Sequence, residues 1–309
     1  MLRAFKPAAM VCGQACNPVK ANAATLKLPL HGAAQGRIRG FTLVELIVVI
    51  VVLAIVSTIA AVFIRRPIES YADSVRRAEL TDIADTALRR IVRDLRFALP
   101  NSVRVANPGG ASTAFYLEFL MTSGGGRYRA AVTGTGTGNP LDFSATDSSF
   151  DVLGPMPTLA ANDSIVIYNL GTGFTGADAY AAANNNRAVY LSNTATTITL
   201  SAAKLFPLAS PGNRFHVVPY AVTYTCNPAA GANEIRRHWN YGITATQTPT
   251  PPALGSSAQL ARNVSACSIT YDQNAIQGRN GIVSLGLQMT GTGGETVSLF
   301  QETHVSNVP

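Results

Sequence analysis

The sequence predicts an α+β protein: one long N-terminal helix, apolar in its first half and amphipathic in its second, packed on a C-terminal, mostly antiparallel β-sheet domain. Three observations carry that expectation. Between Phe41 and Pro100 there is no glycine and a single interior proline, Pro67, which marks one long helix. The 24 residues from Phe41 to Ile64 contain one charge, Glu45. After Pro100 the composition turns to strand-and-turn chemistry, with 22 of the 26 glycines lying beyond it.

Residues 1–40 read as a leader. They hold Arg3, Lys6, Lys20, Lys27, Arg37 and Arg39 and no acid, so six of the seven net positive charges sit there. A basic flank before an apolar segment places the N-terminus in the cytoplasm by the positive-inside rule, although Arg65 and Arg66 on the far side oppose that signal. No apolar core precedes Gly40, which excludes a secretory signal peptide with its own cleavage site. Cys12 and Cys16 leave with the leader, and two ligands alone do not make a zinc site. The rest of the chain carries about +1, and residues 98–309 balance ten basic against ten acidic side chains. That balance argues against a nucleic-acid partner, with Arg236 and Arg237 the one local basic patch.

A helix over 41–64 is about 36 Å long, enough to cross a hydrocarbon layer of about 30 Å. Glu45 is out of place there, because a carboxylate in lipid costs on the order of 2.5–3.5 kcal/mol. It needs a cation, and the run contains no Lys, Arg or His. Cutting the chain after Gly40 supplies one as the α-amine of Phe41, one helical turn from Glu45. The amine of a neighbouring copy serves equally well.

In the second half, residues 65–99, the apolar positions Ile68, Tyr71, Val75, Ala78, Ala84, Leu88, Ile91 and Leu95 recur at helical spacing. This stripe is expected to lie on the globular domain, with Pro67 bending the helix where it leaves the bilayer. Arg89, Arg90, Arg93 and Arg96 interleave with Asp82, Asp85 and Asp94, which describes a solvated face with local ion pairs. A docking face for other subunits is the alternative.

Residues 100–309 form one β-rich domain with no composition break. Strands are expected at 114–121, 127–132, 164–169, 188–192, 196–200, 214–218, 221–226, 235–239, 266–272, 282–290 and 296–305. The last two flank Gly291-Thr292-Gly293-Gly294 as a hairpin, and loops run over 133–140, 170–186 and 248–252. Cys226 and Cys267 lie in the exported part, where oxidation is permitted, and a disulfide between them is worth roughly 4 kcal/mol in the chain-entropy model.

Several chemical motifs fail. Gly171-Thr172-Gly173-Phe174-Thr175-Gly176 matches G-x-G-x-x-G, but no acid follows about 20 residues on and the βαβ rhythm is missing, so a loop is expected. His31, His216, His238 and His304 show no metal-binding spacing, and there is no G-x-S-x-G elbow. No catalytic residue, metal or cofactor is therefore assigned, and no enzyme activity is expected. Trp239, beside His238 and Tyr241, reads as a core residue, with an exposed ligand-binding patch as the alternative.

Gly40-Phe41-Thr42-Leu43-Val44-Glu45 and the apolar run resemble the processing site and N-terminal helix of type IV pilins and of the pseudopilins of type II secretion. The resemblance implies a pilin-like fold and cleavage by prepilin peptidase between Gly40 and Phe41. It further implies N-methylation of Phe41 and pairing of Glu45 with the amine of an adjacent subunit. The partners it implies are prepilin peptidase, other major and minor pilins through the helix, and the inner membrane. Before assembly the protein is then a single-pass inner-membrane protein with its domain in the periplasm, and after assembly part of a pilus at the cell surface. Two further stretches, Ile91-Val92-Arg93-Asp94-Leu95-Arg96 running on to Arg104, and Gly294-Glu295-Thr296 running on to Pro309, are similar to MshO-type minor pilins of the mannose-sensitive haemagglutinin (MSHA) pilus. So is Val222-Thr223-Tyr224-Thr225-Cys226. The implied function is a minor pilin acting in pilus assembly and initiation at the tip, with a role in adhesion. A J-type minor pseudopilin of a type II secretion system shares this layout, and a membrane-anchored adhesin or binding domain is the alternative of another class.

Overall fold

The structure is a computed structural model that describes residues 40–107, 114–228, 231, 233–247, 255–276 and 279–309. The leader before Gly40, with Cys12, Cys16 and His31, and the proline-rich run 248–252 lie outside the described residues. The chain divides into two units, Met1–Ala60 and Ala61–Pro309. One helix, α1 (Leu43–Leu95), begins in the first and ends in the second, and it runs through Pro67 without a break in assignment.

In the first unit every residue from Gly40 to Ala60 is exposed. The most apolar 18-residue window of α1 has a mean hydropathy of 3.2 and none of it is buried, so the helix is long and apolar enough to cross a membrane.

In the second unit α1 buries one stripe. Leu80, Ala84, Leu88, Ile91 and Leu95, with Ala87 and Val92 beside them, enter the main core at three- or four-residue intervals, the spacing that keeps side chains on one face. The predicted stripe is correct only for this half. Ile68, Tyr71, Val75 and Ala78 are exposed, because the domain meets the helix no earlier than the turn 291–295, where Glu295 reaches Arg76 and Gly291 lies against Leu80. After Leu95 the chain tightens through Phe97 N–H to Asp94 O and Ala98 N–H to Leu95 O. Asn101 then takes a positive φ of 58°. Its side-chain amide donates to the carbonyls of Asn169 and Asn307, tying the helix exit to a distant loop and to the C-terminal segment.

The β part consists, among the described residues, of two open sheets and a barrel, all antiparallel. The first sheet has the order β1 (Arg104–Ala106), β2 (Phe115–Met121), β9 (Tyr220–Cys226), β10 (Ile235–Tyr241), β11 (Ser256–Ala261). The second is the meander β12 (Val264–Ile276), β13 (Asn280–Thr290), β14 (Thr296–Ser306). Both sheets and α1 contribute to one core, and Cys226 at the end of β9 is bonded to Cys267 on β12, so the expected disulfide joins the two sheets. The expected hairpin is β13–β14, with Gly294 at φ +87° in its turn.

Between β2 and β9 the chain makes a closed six-stranded barrel. Its order is β3 (Gly124–Tyr128), β4 (Asp147–Leu153), β7 (Thr197–Lys204), β6 (Arg187–Asn193), β5 (Ser164–Ile167), β8 (Arg214–Val218), closed by β8 on β3. It has its own core, including Tyr128, Phe150, Ile165, Ile198 and Phe215. A third cluster with Leu99, Leu120, Val166, Tyr180, Val218 and Tyr241 joins barrel and sheet. The domain is therefore one unit with an insertion that composition does not reveal.

Three strands, β1, β4 and β11, are absent from the sequence expectation, and the strand expected over 127–132 is displaced to β3. Three of its five residues, Gly124, Gly125 and Gly126, are glycines. A Cβ on Gly125 would lie 2.6 Å from the carbonyl oxygen of Phe215, so β3 approaches β8 too closely for a side chain there.

Candidate functional site: the helix start and the helix anchorage

Thr42 sets the first turn of α1. Its hydroxyl accepts the backbone N–H of Glu45 at 3.2 Å and its carbonyl accepts that of Leu46 at 3.1 Å, which makes it the N-cap. Thr42-Leu43-Val44-Glu45 also has the S/T-x-x-E spacing of a capping box, a signal present in the sequence beside the resemblance. Glu45 thereby sits in the first turn, exposed, where a carboxylate offsets the positive end of the helix dipole. Phe41 is 80% exposed. Gly40 is exposed, and a Cβ added to it would meet nothing within 4 Å. Nothing in the described fold requires glycine at this position.

The other end of α1 is fixed by a buried polar cluster. Asp94, 5% exposed, accepts the hydroxyl of Tyr224 at 2.8 Å and Nε of Arg237 at 2.7 Å through one carboxylate oxygen. Nε of Arg90 approaches the other at 3.3 Å. The Arg237 guanidinium lies over the Trp239 ring, 4.8 Å from its centroid. Burial opposes the charge on Arg237, but the hydrogen bond and attraction of Asp94 outweigh it and its pKa is raised. Burial, then the charge of Asp94, push the Tyr224 phenol well up, so it remains a donor. This corrects two sequence readings: Asp94 is not part of a solvated face, and Arg237 is not part of a basic surface patch. Trp239 is partly buried against the core, as a core reading expects. No local pattern pairs residues 130 to 143 positions apart, so only the fold brings these groups together.

A second polar cluster sits where the sheet meets the barrel. Nη2 of Arg104 donates to Oε1 of buried Glu118 at 2.8 Å, and the guanidinium covers the ring of Tyr180, 3.7 Å from its centroid. Burial raises the Glu118 pKa and Arg104 partly offsets it. A third contact pairs Arg76 with Glu295 and holds the β13–β14 turn to the helix.

The glycine motif at 171–176 is a chain of turns with no helix after it. The N–H of Gly173 donates to Oδ2 of Asp178 at 3.0 Å, so the chain's own carboxylate fills the place an anion would take. His216, His238 and His304 do not converge, and among the described residues no group of three or more His, Cys, Asp or Glu could hold a metal ion.

Comparison with known proteins is confined to the helix start. A family profile described as "Prokaryotic N-terminal methylation motif" matches residues 36–61. No curated protein and no solved structure matches the chain. The match supports a type IV pilin-like protein, and it implies processing by prepilin peptidase and pilin assembly. With the long apolar helix it points to a membrane-anchored protein.

Proposed function

We propose that this chain is a minor pilin of an MSHA-like type IV pilus. Held in the inner membrane by residues 41–64 with its N-terminus cytoplasmic and its β domain periplasmic, it is cut by prepilin peptidase between Gly40 and Phe41 and methylated on Phe41. It then acts in pilus assembly and initiation at the tip, by packing among other pilins rather than by catalysis. The observation that carries this reading is the helix start: a cap on Thr42 that presents Glu45 in the first turn of an exposed apolar helix, directly after the 40–41 bond. Among the described residues nothing lies within 4 Å of a Cβ added to Gly40, which is compatible with its being read by an outside agent such as the peptidase.

Cleavage would place a new ammonium at the positive end of the helix dipole, an unfavourable position that a carboxylate relieves. In a bundle of like helices, Glu45 neutralises the amine of a neighbour as both leave lipid. Glu45→Ala should therefore still be cleaved and methylated, yet fail to enter pili. Mass spectrometry of the membrane fraction together with immunodetection in sheared pili checks both halves. Normal incorporation of the variant would remove the role assigned to Glu45.

A J-type pseudopilin of a type II secretion system uses the same helix start, and deletion separates the two: loss of piliation marks the pilus, loss of protein secretion the other. An adhesive role for the β domain is marked by loss of adhesion with pilus number unchanged.

A further inference from the structure

On the wall of the barrel, β6 and β7 carry Arg187 and Lys204 beside a hollow of about 290 Å³, lined also by Asn185, Ala188, Val189 and Ser201. Among the described residues neither cation forms an ion pair. Nε of Arg187 is enclosed and has no hydrogen-bond partner. Nζ of Lys204 donates to Oδ1 of Asn185 at 3.1 Å, an oxygen that also accepts the backbone N–H of Arg187 at 3.3 Å.

The acids in reach are engaged elsewhere. Asp178 attracts Arg187 electrostatically, but its two oxygens accept the N–H groups of Gly173 and Tyr180. Asp147 faces Lys204 across the β4–β7 ladder, and its carboxylate accepts the N–H groups of Asp142 and Ser149. Burial lowers the pKa of Arg187, and burial followed by the nearby Arg187 charge lowers that of Lys204. A partly buried guanidinium held beside a second cation, with no carboxylate bonded to it, has its desolvation cost only partly offset by the charge of Asp178. An oxyanion in the hollow would be drawn by both charges at once, since a guanidinium can grip two oxygens and the ammonium adds a point charge.

We propose that this hollow binds a single oxyanionic group, a carboxylate, sulfate or phosphate, between Arg187 and Lys204. The inference does not depend on the pilin reading, because the barrel is remote in sequence from the helix start and the hollow is complete within one chain.

The test uses the full chain in detergent micelles, titrated separately with glucuronate, sulfate and inorganic phosphate at low ionic strength by calorimetry. Saturable single-site binding of at least one anion is expected, and the preference among the three separates a carboxylate ligand from a sulfate or phosphate ester. Arg187→Gln should weaken it about tenfold or more, the loss of a charge-assisted hydrogen bond. Arg187→Lys should recover only part of it, because the fork is gone. Arg187→Gln should also melt no lower than the wild type, since it removes a cation whose desolvation Asp178 only partly offsets. Absence of saturable binding for all three anions would overturn the proposal, as would unchanged binding in Arg187→Gln.

Discussion

The two halves of α1 are built for different surroundings. From Leu43 to Ile64 the helix is apolar on every side and exposed throughout, with one carboxylate at its start. From Leu80 to Leu95 it is apolar on one face only, and that face is covered by two sheets and locked by Asp94. A helix that buries a single stripe has found its partner within its own chain, whereas one that is apolar all round takes its partners from lipid or from other chains. The second half belongs to the fold of the domain; the first half is left to surroundings outside it.

If that division is right, changes in the second half should act on stability and leave processing alone. The largest effect is expected at Asp94. Asp94→Ala leaves Arg237 enclosed without its carboxylate and Tyr224 without an acceptor, a loss on the order of 3–5 kcal/mol. Denaturation of the micelle-bound chain measures it, and Phe41 should still be exposed by the peptidase. Cys226→Ser with Cys267→Ser removes the bond between the sheets and should cost roughly 4 kcal/mol in the chain-entropy view, with the wild type falling to the same stability under reductant.

The barrel should respond to acid. Burial, then the charge of Arg214, lower the His216 pKa to about 4 from its ordinary 6.5, and its Nε2 is enclosed without a partner. Between those values the unfolded chain binds the proton and the folded one does not, so stability rises with pH there and falls as pH drops from about 6.5 toward 4. The full loss is on the order of 3 kcal/mol. Comparing denaturation at the two ends of that window, with His216→Gln showing the smaller difference, checks it.

The smallest effect on the domain, and the sharpest test of the division, comes from the first half. Val52→Arg, midway along 41–64, should disfavour insertion by on the order of 2.5–3.5 kcal/mol while the β domain melts unchanged. A fall in melting temperature would show that this half also supports the fold.

What could be read from the sequence follows from where the causes lie. The apolar helix start was legible because the motif and the run that follows it are contiguous in the sequence, and the stripe from Ala84 to Leu95 because its period is local. The expected cover over Ile68 to Ala78 was not, since the length of a stripe says nothing about where the opposing sheet ends. The barrel escaped for a similar reason. Among the described residues β4 pairs only with β3 and β7, the latter some 50 residues away, and its alternating pattern Asp147–Leu153 is half polar. The glycines of β3 carry no strand signal of their own, and only the close approach of Phe215 accounts for them. Asp94 carried the same charge in the sequence as its exposed neighbours, and only Arg237 and Tyr224 arriving across the core distinguish it. The disulfide was legible because two cysteines remained once the leader was set aside.

The central claim is that the 40–41 bond is cut and Phe41 becomes the methylated first residue of an assembling helix. Mass spectrometry of the N-terminus of membrane-extracted protein, from cells with and without prepilin peptidase, tests it directly. The expected result is N-methylated Phe41 in the presence of the peptidase and an uncut leader in its absence. A leader left intact in peptidase-containing cells, or a start at any other residue, would contradict the claim and leave a membrane-anchored β domain whose Glu45 has no assembly role.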